Sequence, residues 1–297
     1  MRLPEWIRSA TRASAMRQGQ VSSRGQSHTT KHLLRSHRLL SVCEEARCPN
    51  QGLCFSKPTA TFIVLGNICT RSCTFCAIDH GMPLAVDPSE PAKILEAAKE
   101  MALRYVVITS VTRDDLPDGG ACHFAAVIRK LRLGLPDIGI EVLIPDFKGD
   151  LEAMRIVVDA GPDVLNHNME TVRRLYPVVR PQADYERSLD LLRAMKNMNP
   201  GMRVKSGFML GLGETIAEVE SLLCDLRNAG CDSLTIGQYL RPTKKNLPVV
   251  KYITPEIFDA LKAKAIGLGF EGVASGPLVR SSMNAEELYH IMRCQHA

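Results

Sequence analysis

The chain has 297 residues, of which 45% are hydrophobic, enough for one large domain or two small ones with a buried core. This composition excludes disorder over most of the chain, and no uninterrupted apolar run is long enough to predict a membrane-spanning helix. The net charge of +5 is uneven, because residues 1–40 hold eight basic residues against one acidic residue, Glu5. We therefore predict a basic N-terminal arm, residues 1–40, on a slightly acidic body.

From residue 59 onward, short apolar runs alternate with segments of helical periodicity. Thr215 and Glu218 have the spacing of a capping box at the start of the fifth helical segment, and Gly230 follows its end. Six consecutive βα units predict a parallel sheet, and the lack of a Gly-x-Gly-x-x-Gly after the first strand favours a partial barrel over a doubly wound sheet. The predicted strands are 59–66, 105–110, 140–145, 164–169, 203–211 and 231–239, and the predicted helices are 90–102, 120–134, 149–159, 185–198, 215–229 and 255–267.

The fold class predicted from this pattern is α/β, a partial (β/α)6 TIM-type barrel over residues 59–270 with an extension at each end. In such barrels ligands bind at the carboxyl ends of the strands, so residues that directly follow a strand are the functional candidates.

Cysteine is concentrated, since six of the ten cysteines fall between residues 43 and 76. No apolar stretch resembles a secretory signal, so metal-bound thiolates in a reduced compartment are favoured over disulfides. The other four cysteines lack ligand spacing, and we expect them to be small buried apolar residues. They are Cys122, Cys224, Cys231 and Cys294.

The first cysteine triplet, Cys69, Cys73 and Cys76, directly follows the first predicted strand. Three thiolates leave one coordination position of a metal centre open, whereas a closed structural site needs four ligands. The alternative is a zinc ion with His80 as its fourth ligand. With Phe75 before the last cysteine, the motif resembles that of the radical S-adenosylmethionine (SAM) superfamily. That resemblance implies a [4Fe–4S] cluster on these cysteines, with SAM as the ligand of the open iron and the source of a radical.

A second triplet, Cys43, Cys48 and Cys54, precedes the first strand. Together with the first triplet it resembles the lipoyl synthase family, and the resemblance extends over residues 40–290. It implies a second [4Fe–4S] cluster held by the segment 41–58. The stretches that carry the resemblance are VVITSVTRDDLPDGGA at 106–121, EVLIPDF at 141–147, VLNHNMETV at 164–172, KSGFMLGLGET at 205–215, TIGQYLRPT at 235–243 and GPLVRSS at 276–282.

The C-terminal segment 271–297 would supply a serine as fourth ligand of the second cluster. The family sequence Arg-Ser-Ser-Tyr reads Arg280-Ser281-Ser282-Met283 here, so the resemblance implies Ser282 as the ligand, with Ser281 as a less favoured candidate. The methionine in place of tyrosine removes a hydroxyl beside this serine, which leaves the support of the ligand open.

The same resemblance implies the reaction. Two sulfur atoms would be inserted at carbons six and eight of an octanoyl-lysine on a lipoyl-carrier protein or domain, with the second cluster as sulfur donor. We expect an external electron donor, a cytoplasmic location and, by default, a monomer. The slightly acidic body and the single tryptophan, Trp6, argue against binding of nucleic acid, and the lack of a long apolar run argues against a membrane. For the basic arm, docking of the carrier and a mitochondrial transit peptide are the two alternatives.

Polar residues after the fourth and fifth strands are the candidate SAM contacts. They are Asn168, Glu170, Lys205 and Glu214. His167 fits a core position equally well, the polar run 109–115 could be a solvated turn, and the pair Lys244-Lys245 is typical of a solvated surface. A methylthiotransferase is the nearest alternative enzyme, and a nucleic-acid-binding module or an electron carrier are alternatives from other classes.

Overall fold

An eight-stranded sheet forms the centre of the protein, for which the computed structural model describes residues 4–9, 21–55 and 60–294. Its order is β1-β2-β5-β6-β7-β8-β9-β10, and all neighbours are parallel except the antiparallel pair β1 and β2. A second, small sheet pairs β3 with β4. The strands are β1 (Leu40–Ser41), β2 (Thr61–Val64), β3 (Ile68–Cys69), β4 (Asp79–His80), β5 (Tyr105–Ser110), β6 (Gly139–Leu143), β7 (Val164–Asn166), β8 (Arg203–Leu210), β9 (Ser233–Gln238) and β10 (Gly272–Gly276).

Helices connect the parallel strands, as the alternating pattern predicts. The capping box is present, because Thr215 accepts from the backbone of Glu218 and Glu218 in turn accepts from the backbone of Thr215. Gly230 has a φ of +85°, the left-handed conformation that ends this helix. The helices are α1 (Val21–Ser36), α2 (Val42–Glu45), α3 (Gln51–Phe55), α4 (Glu90–Glu100), α5 (Ala121–Gly134), α6 (Leu151–Asp159), α7 (Tyr176–Val179), α8 (Tyr185–Met198), α9 (Ile216–Asn228), α10 (Pro255–Gly267) and α11 (Ala285–Cys294), with 3₁₀ turns at Phe147–Gly149 and Arg173–Leu175.

The strands are buried, but the inner face of the sheet carries polar side chains. All four residues of β2 are buried and three of them are apolar, as expected for a strand covered on both faces. By contrast, Glu141 of β6 accepts hydrogen bonds from Tyr105, Asn166 and Lys205, at 3.0, 3.2 and 2.8 Å. Neighbouring strands thus bring a polar layer into the interior of the barrel.

Helix α11 lies across the amino ends of the strands. Its Tyr289 stacks against Tyr105, the first residue of β5, with ring centroids 5.5 Å apart. Gly272, the first residue of β10, lies so close to Leu288 that a Cβ there would come within 2.8 Å of the leucine side chain. The C-terminal helix therefore closes the end of the barrel opposite the predicted site.

The predicted six βα units are all present, and β10 adds a seventh parallel strand that the sequence pattern did not reveal. Its sequence, GVASG, is short and rich in small residues, so it lacks the apolar run typical of a buried strand. Within the predicted arm, α1 is attached to the body, because Leu34 is fully buried and Thr30 donates to the Phe55 carbonyl. Residues 10–20 of the arm lie outside the described residues. Among the helices that are described, none is long and apolar enough to cross a membrane.

Candidate active site

The first cysteine triplet lies in the loop that follows β2, at the carboxyl end of the sheet. Leu65 and Gly66, with φ of +68° and +91°, turn the chain sharply out of the strand. The loop then runs to Cys76, and its residues Ile68 and Cys69 pair with Asp79 and His80 in the small sheet. The triplet therefore has the position at which barrels of this kind bind ligands.

The three thiols of this loop form one group. Burial, together with the neighbouring thiols of Cys73 and Cys69, raises the pKa of Cys76 to about 12. The backbone N–H groups of Arg71 and Thr112 lie 3.4 and 3.3 Å from the Cys69 sulfur, as donors to a thiolate would. The loop thus offers three sulfur ligands and backbone donors for their negative charge.

A buried ion-pair network anchors this loop through Arg71. Its guanidinium donates to Asp114 at 2.6 Å and to Asp146 at 2.7 Å, and Asp146 also accepts from Arg187 at 2.9 Å. Burial favours the neutral acid, yet the hydrogen bond and charge of Arg71 hold the pKa of Asp146 well below its usual range. Residues after β5 and β6 therefore fix the position of the cysteine loop.

Loops after β5, β7 and β9 hold the same segment by hydrogen bonds to its backbone. Asn246 donates from its amide to the carbonyls of Cys76, at 2.6 Å, and Thr74, at 3.2 Å. The ends of four strands thus position this loop, which explains how so short a segment is ordered. Further contacts of this segment include Thr70 to the Thr112 carbonyl, Ser72 to Gln182, and the Thr74 N–H to the Val179 carbonyl.

The second triplet is also gathered into one group, in the turns around α2 and α3. The hydrogen bond between the Cys43 and Cys54 thiols, with burial, raises the pKa of Cys43, and the nearby Cys48 raises it further. The Ser41 hydroxyl caps α2 by accepting from the Cys43 N–H at 3.2 Å. Within each predicted triplet, the three cysteines are therefore brought close to one another.

The C-terminal segment lies against the second triplet. Asn50 donates from Nδ2 to the Leu278 carbonyl at 2.6 Å and contacts the Met283 sulfur at 3.3 Å. Arg280 is close enough to Cys48 for each to shift the pKa of the other, although burial is the main cause for both groups. The predicted ligand segment therefore reaches the cysteines that it was expected to join.

The two serines of this segment differ in their partners. Ser281 accepts from Asn166 at 2.8 Å and donates to the Asn168 side chain at 3.2 Å. No hydrogen bond joins Ser282 to another of the described residues, although it lies between Ser281 and the Met283 that contacts Asn50. Ser281 is thus engaged by the barrel, while the hydroxyl of Ser282 is available.

The donor geometry differs from that of a site for a single ion. Within residues 4–9, 21–55 and 60–294, no three His, Cys, Asp or Glu side chains are placed to hold one metal ion. A closed zinc site needs four ligands around one ion, whereas the thiolates of an iron–sulfur cluster bind different iron atoms and stand farther apart. His80, the candidate fourth zinc ligand, is exposed. An exposed His80 therefore gives no support to the zinc alternative for the first triplet.

Comparison with known proteins identifies the family. The sequence model of the radical SAM superfamily matches residues 63–226. The chain is 56% identical to a lipoyl synthase of Rubrobacter xylanophilus over 86% of its own length and 80% of the relative's. It is 52% identical to a lipoyl synthase of Caldicellulosiruptor saccharolyticus over 97% of this chain and 98% of that one. The chain belongs to the lipoyl synthase family.

Solved structures agree with this family at the level of the fold. A maturase of the [FeFe]-hydrogenase superposes with a TM-score of 0.58 at 15% identity, covering 71% of this chain and 50% of that one. Coproporphyrinogen III oxidase from Escherichia coli, described as a radical SAM enzyme, superposes with a TM-score of 0.51 at 15% identity, covering 74% and 55%. The chain therefore spans about half the length of these solved proteins and shares a fold with them.

The cofactors of this lipoyl synthase family member are two [4Fe–4S] clusters and SAM. The residues present fit these groups, because each triplet offers three clustered thiols and the first also directs backbone N–H groups at its sulfur. The prediction of the family, the fold class and the cofactors is confirmed.

Of the predicted SAM contacts, Asn168 and Glu170 lie beside the first triplet. Glu170 follows β7 in the left-handed region, with φ of +65°, and its charge contributes to the raised pKa of Cys73 and Cys76. The Asn168 carbonyl accepts from Arg180 at 2.9 Å, and Arg180 in turn is close to Cys73. Glu170 therefore lies near the first triplet, and Asn168 is linked to it through Arg180.

The other two predicted contacts are engaged by the protein itself. Lys205 is 1% exposed and donates to Glu141 at 2.8 Å inside the barrel. Glu214 accepts from the backbone N–H groups of Gly211 and Leu212, so its carboxylate orders the loop after β8. Gly211 has a φ of +102°, a conformation that this tight loop requires.

Several open alternatives are settled by burial. His167 is 1% exposed, with Nδ1 2.9 Å from the Ile144 carbonyl and Nε2 3.2 Å from the Ser188 hydroxyl, so it is a core histidine. Lys244 and Lys245 are exposed, as expected for a solvated surface. The polar run 109–115 is structured, because its Arg113 donates to the Leu65 carbonyl and to Asp115.

The expectation that the isolated cysteines are buried is correct for Cys231 and wrong for Cys122 and Cys224. Cys231 lies two residues before β9 and is fully buried. Cys122 and Cys224 lie on the solvent-facing sides of α5 and α9, where helical periodicity alternates exposed and buried positions. The side chain of Cys294 lies outside the described residues.

Sequence reasoning missed Asn50, Arg71, Asp146 and Asn246, which hold the two ligand segments in place. Each acts across a long separation in sequence, for example 75 residues from Arg71 to Asp146. Arg71 and Asn50 carry a local signal, since each lies within one of the two cysteine motifs.

Proposed function

We propose that this protein inserts two sulfur atoms, at carbons six and eight, into an octanoyl chain carried on a lysine of a lipoyl-carrier protein. One observation carries the proposal: a series of contacts joins the two triplets. Cys48 lies beside Arg280, the adjacent Ser281 donates to Asn168, and the Asn168 carbonyl accepts from Arg180, which is close to Cys73. An octanoyl chain bound along this line would lie between both cysteine groups.

In this proposal Cys69, Cys73 and Cys76 hold the first cluster, and Cys43, Cys48, Cys54 and Ser282 hold the second. When bound, the two clusters supply the electron that cleaves SAM and the sulfur that is inserted. A serine oxygen is a harder donor to iron than a thiolate, which suits a cluster that must release its sulfur. The choice of Ser282 is supported by its free hydroxyl, since that of Ser281 is already bonded to Asn166 and Asn168.

The surrounding residues position SAM and the substrate. Asn168 and Glu170 bind SAM, because they adjoin the first triplet at the carboxyl end of β7. Lys205 and Glu214 support the same site indirectly. Lys205 neutralises Glu141, and Glu214 orders the loop after β8. The Arg71–Asp146 ion pair keeps the first cysteine loop fixed while SAM binds.

The remaining parts of the proposal concern partners and location. The substrate is an octanoylated carrier protein or domain, and an external donor supplies electrons. The chain acts as a monomer in the cytoplasm and binds neither nucleic acid nor a membrane. These statements rest on the family and on the slightly acidic charge of the body.

One anaerobic experiment tests the proposal. After iron–sulfur reconstitution, the protein is incubated with SAM, a strong reductant and an octanoyl-lysine carrier peptide. We expect about eight irons per chain, formation of 5′-deoxyadenosine and a gain in peptide mass from two sulfur atoms. Ser282→Ala should retain SAM cleavage and lose sulfur insertion. An iron content near four, or a peptide of unchanged mass, would refute the function, and full product formation by Ser282→Ala would remove this serine from it.

A further inference from the structure

Asn50 joins the second cysteine segment to the C-terminal segment. It stands between Cys48 and Cys54, is 1% exposed, and donates from Nδ2 to the Leu278 carbonyl at 2.6 Å. The same nitrogen contacts the Met283 sulfur at 3.3 Å. These two acceptors stand on either side of residues 280–282, so one side chain holds both ends of the segment that carries the serine.

The backbone of Asn50 also belongs to the fold of the cysteine segment. Its carbonyl accepts from the Cys54 N–H at 3.0 Å, and the N–H of the next residue, Gln51, bonds to the Cys48 carbonyl at 3.3 Å. The main chain of Asn50 therefore begins the helix that carries Cys54, while its side chain reaches a segment more than 220 residues away. A movement of one segment is thereby transmitted to the other.

The amide of Asn50 is used only as a donor. Its Oδ1 is buried and has no hydrogen-bond partner among the described residues, an arrangement that is unfavourable for an amide unless its N–H groups are needed. An apolar side chain of similar size would avoid this cost but could not bond to Leu278. The need for a donor at this position thus accounts for an asparagine in an otherwise buried turn.

The barrel holds the same C-terminal segment from its other side. Ser281 is hydrogen-bonded to Asn166, the last residue of β7, and to Asn168, which follows this strand. Contacts at Leu278, Ser281 and Met283 leave Ser282 as the hydroxyl between them with no partner among the described residues. Holding three neighbours restricts where this hydroxyl can point.

We propose that Asn50 is a positioning residue that holds residues 278–283 against the Cys43–Cys54 segment and so directs Ser282 to the second cluster. The inference rests on the proposed function, because it assumes that this cluster is present. Loss of the Asn50 donor should free the C-terminal segment and weaken the second cluster, while leaving the first cluster intact.

The test measures cluster retention in the full-length, anaerobically reconstituted protein. Asn50→Leu keeps the number and branching of the side-chain heavy atoms and removes the donor, whereas Gln51→Ala, at the neighbouring residue, is the matched control. Iron release to a chelator is followed with time, and the first cluster is assigned by the change that SAM causes in the electron paramagnetic resonance spectrum. We expect Asn50→Leu to lose about half of its iron on the order of ten-fold faster than the wild type, and to keep the SAM-dependent signal.

Met283→Leu provides a second variant in case Asn50→Leu fails to fold. It removes only the thioether acceptor, so we expect iron release about two-fold faster, again confined to the cluster without the SAM response. Wild-type release rates in both variants, or equal loss of both clusters, would overturn the inference. An iron content near four in the wild type would instead refute the two-cluster function itself, so the two failures are distinguishable.

Discussion

At the scale of single residues, two groups of buried charges pair side chains that lie far apart in the sequence. Lys205 of β8 and Glu141 of β6 are both 1% exposed and separated by 64 residues in sequence. Arg71, Asp146 and Arg187 form a second such group below the first cysteine loop. Breaking one partner of a buried pair leaves an uncompensated charge, which is far more costly than the pair itself is stabilising.

Lys205→Met tests this role. We expect the free energy of unfolding of this variant to be about 3–5 kcal/mol lower than that of the wild type, because Glu141 loses its cation inside the barrel. The measurement is urea unfolding of the anaerobic protein, beside the double variant with Glu141→Gln, in which the unpaired charge is gone and most of the stability should return. A Lys205→Met protein of unchanged stability but raised KM for SAM would show instead that the lysine contacts SAM directly.

At the scale of elements, the ends of strands serve two purposes. Some residues in the loops after β5, β6, β7 and β9 form hydrogen bonds to the first cysteine loop. Other residues at the ends of these strands are packed in the core. His167, which directly follows β7, is of the second kind, since it links the Ile144 carbonyl after β6 to Ser188 of α8. A polar residue at a strand end is thus insufficient evidence for a ligand contact.

The buried histidine makes stability depend on pH. Burial lowers the pKa of His167 to about 4 from its ordinary value of 6.5, so between these values the unfolded chain binds more protons. The stability that depends on neutral His167 is therefore fully present above pH 6.5 and is lost as the pH falls toward 4. Between pH 7.5 and pH 5 we expect a loss of about 2 kcal/mol.

The measurement compares the urea midpoints of the wild type and His167→Gln at both pH values, with clusters in place. Acid damage to the clusters affects both proteins, so the difference between them reports His167. The same acid-dependent loss in the variant would contradict this assignment.

At the scale of the whole molecule, residues 278–292 contact both ends of the barrel. Residues 278–283 reach the second cysteine segment, and α11 then covers the amino ends of the strands through Leu288, Tyr289 and Met292. The core therefore holds α11, and the segment that carries Ser282 is fixed on both sides.

Leu288→Ala tests the closure by α11. Leu288 is 6% exposed against Gly272, so truncation should cost about 2–5 kcal/mol through lost burial and the cavity left behind. Ile291 in the same helix is 50% exposed, and Ile291→Ala is the control, expected to change stability little. Thermal unfolding of both variants measures the effect, and equal destabilisation would mean that α11 does not pack as described.

The sequence by itself determined the alternation of strands and helices, the capping of α9, the two cysteine triplets and the family. These features are local, since periodicity, caps and ligand spacing are written within a few neighbouring residues. The tertiary structure alone decided that Lys205 pairs with Glu141, that Ser281 rather than Ser282 is engaged by Asn166 and Asn168, and that Asn50 reaches Leu278. Such contacts join residues that are distant in the chain, and their identity depends on sheet order and packing, which no local pattern encodes.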